Sequence, residues 1–314
     1  MKPSSPQPSH RRKQVSSTPP DSPHSLDSGV RRNDEPLLAF ANVTFRYPDG
    51  NVGLDACSLS IQQGSRNALI GANGAGKTTL FQHANGLLRH QAGAIRYAGE
   101  AIDYSRAGLR ALRSAVGLVF QNPDQQLFSA SVQEDVSFGP LNLGLDMDTV
   151  RQRVAAALRA VRMDDYADRP VHNLSFGQKK RVCIAGVLAM EPQLLILDEP
   201  MAGLDHAMRL ELLAVFDHLH RQGITLLLAT HDIDFAYRWA DRIHVMARGQ
   251  CTAAFDAGDF PDNAHALAAA GLPVPGIIEL HRQLVAGGYL NAEISPRSIG
   301  ELTELIKHQG KSAP

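Results

Sequence analysis

A chain of 314 residues, 44% hydrophobic and 20% charged, has the material for a sizeable core and an ordinary globular composition. With 31 basic against 32 acidic side chains the formal net charge is -1, so no global field calls for nucleic acid or acidic lipid as the main partner. Cys57, Cys183 and Cys251 are far apart and never form C-x-x-C, which indicates neither a disulfide framework nor a zinc site and fits a reducing cytosol. Apolar runs such as Leu194 to Leu197 and Ile224 to Ala229 are too short to span a bilayer, and the start of the chain lacks the apolar stretch of a signal peptide. Service in a membrane process would require docking on a membrane partner.

Residues 1 to about 36, rich in Pro and Ser and with basic clusters diluted by acids, read as a disordered tail. Leu38 to Tyr47, with Phe40, Val43 and Phe45, predicts a strand, a Pro-Asp-Gly turn follows at 48 to 50, and Leu54 to Ile61 alternates like its partner. Tyr47 ends the first strand upstream of a glycine-rich loop. Its ring has a face that can stack on adenine, and local sequence leaves open the plainer role of a half-buried strand tyrosine.

The apolar run Ala68-Leu69-Ile70 leads into Gly71-Ala72-Asn73-Gly74-Ala75-Gly76-Lys77-Thr78-Thr79, which fits the P-loop spacing G-x-x-x-x-G-K-T. Glycine is required because the loop wraps phosphate with its backbone amides, where side chains would block the approach. The helix starting near Gly76 adds unpaired amides, Lys77 can reach the β- and γ-phosphates, and the Thr78 hydroxyl can hold magnesium.

Gly93 to Tyr104 predicts two short strands around Gly99, and Ala115 to Phe120 another strand, after which Gln121 opens a proline-broken polar loop suited to carrying a side chain to a magnesium or water site. Val132 to Leu143 and Thr149 to Met163 have helical spacing, an α-helical insertion within an α/β domain. At Leu174-Ser175-Phe176-Gly177-Gln178, Ser175 is a natural N-cap and Gly177 allows close backbone approach before a helix over 178–190, a second anion-binding helix start.

Leu194-Leu195-Ile196-Leu197-Asp198-Glu199 reads as a buried parallel strand with two acids at its C-terminal edge, where ligands of open parallel sheets bind. There Asp198 suits water-mediated magnesium binding and Glu199 suits accepting a proton from attacking water. After Asp205 come a helix through Leu219 and a core strand, Ile224 to Ala229, ending at His231, which can hydrogen-bond a γ-phosphate or orient Glu199. Arg242 to Ala247 and Cys251 to Phe255 complete the sheet. Beyond Asp259 the chain reads as helical, with breaks around Pro273 and Pro275 and a last helix over 296–308, a small appendage offering a dimer contact at most.

The order P-loop, Gln121, Leu174-Ser175-Phe176-Gly177-Gln178, Asp198-Glu199, Asp205, His231 resembles the ATP-binding cassette (ABC) ATPases over roughly residues 37 to 256. The resemblance implies a P-loop NTPase of α/β class, an ABC-type nucleotide-binding domain over 37–258 with an antiparallel β subdomain and an α-helical subdomain at about 128–180, followed by a small helical C-terminal extension over 259–314. It also implies a head-to-tail dimer, of identical or paralogous chains, enclosing two ATP molecules. In it Ser175, Phe176, Gly177 and Gln178 of one chain would face the γ-phosphate held by the other's Lys77. Residues 71 to 79 (Gly71, Ala72, Asn73, Gly74, Ala75, Gly76, Lys77, Thr78, Thr79) and Tyr47 would bind nucleotide. Thr78, Gln121 and Asp198 would hold magnesium, Gln121 would also sense nucleotide beside the membrane partner, Asp205 would lie in the cross-dimer loop, and Glu199, His231 and Gln121 would be the catalytic residues that drive hydrolysis. Three positions depart from the family pattern: Ala72 and Phe176 replace a commoner proline and glycine, and Met201 a commoner Thr or Ser.

A narrower resemblance rests on Val119 to Phe128, Lys179-Lys180-Arg181-Val182, Ala185 to Met190, Gly271 to Pro275 and Pro296-Arg297-Ser298. These look like the ATPase subunit of energy-coupling-factor transporters, particularly the cobalt and nickel branch. That implies a peripheral subunit on the cytoplasmic face of the plasma membrane, with a transmembrane coupling subunit, a substrate-capturing membrane subunit and no nucleic acid. Cobalt is the expected cargo, nickel the next. A vitamin importer is the alternative within transport; a soluble cassette acting on DNA or ribosomes is the alternative from another class, though it typically carries two cassettes or a long coiled coil, neither of which is seen here.

Overall fold

The computed structural model describes residues 35–292 and 294–309, so the expected tail over 1–36 lies, but for its last two residues, outside the described residues. The chain opens with β1 (Leu38–Arg46) and β2 (Val52–Ile61), an antiparallel pair joined by the tight turn at Pro48-Asp49-Gly50. β3 (Arg66–Ile70) leaves them for a second sheet and runs into α1 (Lys77–Ala84). β4 (Ala92–Tyr97) returns to pair with β1, and β5 (Glu100–Ala101) is only two residues long.

The next helix is absent from the sequence reading: α2 (Arg106–Ala115) lies between the predicted strands. Its three arginines and one glycine dilute the apolar stripe to Leu109 and Leu112. The visible signal is Ser105, whose hydroxyl accepts from the Gly108 amide as an N-cap.

β6 (Val116–Val119) precedes α3 (Val132–Asn142) and α4 (Met147–Ala160), which pack with α5 (Phe176–Leu188) as a helical unit. α5 starts two residues before its expected place, so Phe176 and Gly177 belong to its first turn. β7 (Leu194–Asp198), α6 (His206–Arg221), β8 (Thr225–Thr230), the short α7 (Ile233–Trp239), β9 (Arg242–Ala247) and β10 (Gln250–Asp256) follow.

Among the described residues the second sheet has six strands in the order β10-β9-β3-β8-β7-β6, parallel except for the β9–β10 hairpin. β7 and β8 are buried at every residue, as continuous apolar runs covered on both faces must be. The parallel register brings the C-terminal ends of β3, β7 and β8 side by side, pairing Ile70 with Thr230 and Asp198 with Ala229. Three loops from distant parts of the sequence therefore meet on one edge.

The C-terminal helices α8 (Ala264–Ala269), α9 (Gly276–Ala286) and α10 (Ile299–Gln309) pack back on this body. Asp234 accepts from the Gly276 amide at 2.8 Å, capping the start of α9. The Arg297 guanidinium, just ahead of α10, donates to the carbonyls of Tyr237 and Ala240 at the end of α7, satisfying groups that a helix terminus leaves unpaired.

Candidate functional site

The loop between β3 and α1 is confined by close backbone approach. A Cβ on Gly71 would stand 2.4 Å from the Met246 carbonyl oxygen, and one on Gly76, at φ +104°, would stand 2.5 Å from that of Gly53. Only glycine fits either place. Gly76 is the N-cap of α1 and no side chain caps it, so the first amides of the helix are left for another acceptor. Lys77, 7% exposed, donates from Nζ to the carbonyls of Gly71 at 2.6 Å and Ala72 at 3.2 Å. Burial lowers its pKa, and the charges of Glu199 and Asp198 pull it partly back.

Across the loop the Thr78 hydroxyl donates to Asp198 Oδ2 at 2.7 Å. Burial raises the pKa of Asp198, opposed by that hydroxyl bond and by the Lys77 charge. Glu199, the next residue, adopts a left-handed φ of +45° and accepts at Oε2 from His231 Nδ1 at 2.9 Å. A carboxylate only accepts, so Nδ1 carries the histidine proton. Tyr47 touches the second threonine of the loop, its hydroxyl 2.9 Å from Thr79 Oγ1, with its ring edge-to-face on Phe45.

These groups wall one cavity of about 680 Å³, which gathers Tyr47, the loop from Asn73 to Thr79, Gln121, Asp198, Glu199 and His231. Gly71 and Ala72 stand behind it, contributing the carbonyls that hold Lys77. The wall also includes Asn51, Val52 and Gly53, which the sequence reading did not single out; their only advance signal was the tight turn just before them. The hydroxyl of Thr78, the carboxylate of Asp198 and the carboxamide of Gln121 form a hard-oxygen donor set that fits magnesium better than a soft metal, and two of the three are already hydrogen-bonded together.

Ser175, Phe176, Gly177, Gln178 and Asp205 are not in this wall. Ser175 and Gln178 form a reciprocal capping box at the start of α5, and Asp205 caps α6 by accepting from the Met208 amide at 2.8 Å. A larger cavity, about 880 Å³, opens beside the loop that follows Gln121, lined by apolar groups such as Phe120, Phe128, Phe138 and Met190. Phe128 and Phe138 are 65% and 50% exposed and meet edge-to-face, their ring centres 4.7 Å apart.

Comparison with known proteins identifies the family and the fold. The family model for ABC transporters matches residues 54–202. The energy-coupling factor transporter ATP-binding protein EcfA of Methanothermobacter thermautotrophicus is 42% identical over 253 residues, covering 81% of this chain and 81% of that one. The cobalt import ATP-binding protein CbiO of Rhodobacter capsulatus is 46% identical over 245 residues, covering 78% of this chain and 88% of that one. Among solved structures, CbiO1 of Clostridium perfringens, described as part of the ABC transporter complex CbiONQ, superposes with a TM-score of 0.68 at 42% identity, over 79% of this chain and all of that one.

Proposed function

The chain belongs to the ATP-binding subunits of energy-coupling-factor ABC transporters, ATPases whose hydrolysis is coupled to transport, and on that premise we propose that it powers cobalt uptake, with nickel as second cargo. The observation that carries the chemistry is the hydrogen bond from His231 to Glu199 in the cavity that also holds Lys77 and the Thr78–Asp198 pair. In this reading the amides of residues 73 to 79 and the Lys77 ammonium bind the phosphates of ATP and offset charge developing in the transition state, where most of the rate enhancement lies. Thr78, Asp198 and Gln121 would hold magnesium, which would offset phosphate charge. Glu199 takes a proton from the attacking water, and His231, donating from Nδ1, fixes the carboxylate oxygen that does so. Tyr47 packs its ring against adenine while its hydroxyl holds Thr79.

The site has a second half in this reading. Ser175, Phe176, Gly177 and Gln178, outside the cavity wall of their own chain, complete the site of a second ATPase chain, and Asp205 lies between the two. Among the described residues no helix is long and apolar enough to cross a membrane. In this reading membrane partner subunits carry the cargo across. The apolar groove around Phe128 and Phe138 receives the coupling subunit at the cytoplasmic face of the membrane, next to Gln121, which joins nucleotide state to that contact.

The cobalt reading is supported by the CbiO relative, named for cobalt import, and by the sequence match to its branch. Uptake of labelled cobalt by cells expressing the chain with its membrane partners tests it. Wild type should accumulate cobalt, nickel should compete, and Glu199→Gln should abolish uptake. Uptake indifferent to Glu199 would overturn the motor assignment; Glu199-dependent uptake of a vitamin instead of either metal would overturn the cargo.

A further inference from the structure

Glu199 poses a local problem that its neighbours solve only in part. A non-glycine residue at φ +45° is strained, and this one must aim a carboxylate at His231. Its amide is tied to the Ala229 carbonyl at 3.2 Å, which holds one side of the residue. The other side is held within the turn by the Ala202 amide, which donates to the Glu199 carbonyl at 3.1 Å, and from α5. Lys180 is 3% exposed and donates from Nζ to the carbonyls of Glu199 at 3.2 Å, Pro200 at 2.8 Å and Ala202 at 2.8 Å. Its three protons thus meet three acceptors of one turn.

Its sequence neighbours behave differently. Lys179 pairs with Asp124 at 2.7 Å and Arg181 with Glu211 at 2.6 Å, whereas Lys180 forms no ion pair among the described residues. Burial lowers its pKa to about 8, and a buried ammonium is tolerated only where its donors are satisfied. Phe176, one helical turn earlier on the same face, lies with its ring 5.2 Å from Nζ, and a Cβ on Gly203 would stand 3.1 Å from that ring. Phe176 and Lys180 together grip the turn 199–203 at both ends. The phenylalanine that departs from the family's glycine has a partner in this lysine.

We propose that Lys180 is a positioning residue for hydrolysis: it fixes the backbone of Glu199 and the turn after it to α5, so that the carboxylate faces water and His231 in one orientation. It touches no reacting atom and acts through Glu199, so it rests on the reading of Glu199 as the base. Because Ser175 starts the same helix, Lys180 also makes the Ser175 end of α5 and Glu199 one body.

The test is single-turnover hydrolysis of Mg-ATP by the full-length chain in its transporter complex, with ATP affinity and thermal unfolding measured on the same samples. Lys180→Met should slow the single-turnover step by about 100-fold, the scale of a misplaced catalytic group, while ATP affinity stays within about twofold. Lys180→Gln, with two donors on a shorter stem, should recover part of the rate. In a Glu199→Gln background, Lys180→Met should cost nothing further, which a merely structural role would not produce. A folded Lys180→Met with a wild-type rate, a rate loss matched by lost ATP affinity, or an equal further loss without Glu199 would each overturn the positioning role. If Lys180→Met does not fold, Lys180→Gln in the same cycle decides by the same criteria. Normal hydrolysis by Glu199→Gln alone would instead remove the base assignment, and this inference with it.

Discussion

Helix α1 begins at a left-handed glycine and helix α5 at a serine, and both starts carry local features that suit an anion. The fold treats them differently. At Gly76 no side chain caps the helix, the loop is wedged against Met246 and Gly53, and the free amides face a cavity of about 680 Å³. At Ser175 the serine hydroxyl accepts from the Gln178 amide while the Gln178 carboxamide accepts from the Ser175 amide, on an exposed part of the surface. One start is held open inside a single chain; the other is satisfied until something displaces its box. The difference is that the α1 start keeps its first amides free within one chain, whereas the α5 start is already satisfied by its own side chains, as the proposed two-chain site would require.

The largest break in that comparison comes at α1. Lys77→Ala should lower ATP affinity by about 10- to 100-fold, the scale of losing charge-assisted hydrogen bonds to phosphate, as read by equilibrium nucleotide binding to the isolated chain. Unchanged affinity would mean that the α1 start is not the binding site.

At α5 the effect is smaller and of another kind. Ser175→Ala should leave ATP affinity of the isolated chain unchanged, slow hydrolysis by the assembled protein, and remove about 1 kcal/mol of capping stability, measurable by urea unfolding. Ser175→Asp sharpens the point, since a carboxylate still caps the helix but repels a γ-phosphate. It should restore stability without restoring hydrolysis; recovery of both would reduce Ser175 to a cap.

The smallest effect concerns what stiffens the α1 side. His244, fully buried on β9 and paired in register with Leu69 of β3, donates from Nε2 to Asn67 Oδ1 at 3.1 Å. Burial pushes its pKa down to about 3. The unfolded chain takes up this proton near pH 6.5 and the folded chain does not, so its contribution to stability is intact above 6.5 and lost as pH falls below it. Between pH 8 and pH 6 the wild type should lose about 0.8 kcal/mol through this residue. His244→Gln, which keeps a donor for Asn67 and does not titrate, should not lose that increment. Equal pH dependence of the two urea midpoints would refute it.

Much of the cavity was legible in advance because its residues come in short runs with strong local constraints. The loop from Gly71 to Thr79 needs glycine at fixed places, and Asp198-Glu199 and His231 follow apolar strands whose ends must share an edge in a parallel sheet. α2 escaped because its apolar stripe is thin, and Asn51 to Gly53 because nothing in the start of a strand says which loop it leans on. Phe176, which stands where the family commonly has glycine, packs on Gly203 and over Lys180, contacts that only the tertiary structure brings together.

By itself the sequence determined the chemical inventory and its order: a phosphate loop, two acids after a buried strand, a histidine after another, and a capped helix start between them. Those are properties of neighbours in the chain, set by backbone geometry and the alternation of apolar and polar residues. Only the tertiary structure decided which of these groups touch. Thr78 meets Asp198 across 120 residues, His231 meets Glu199 across 32, and Lys180 reaches the carbonyl of Glu199 across 19. Such contacts depend on strand order, helix packing and the reach of a long side chain into a buried turn, none of which leaves a period in the sequence.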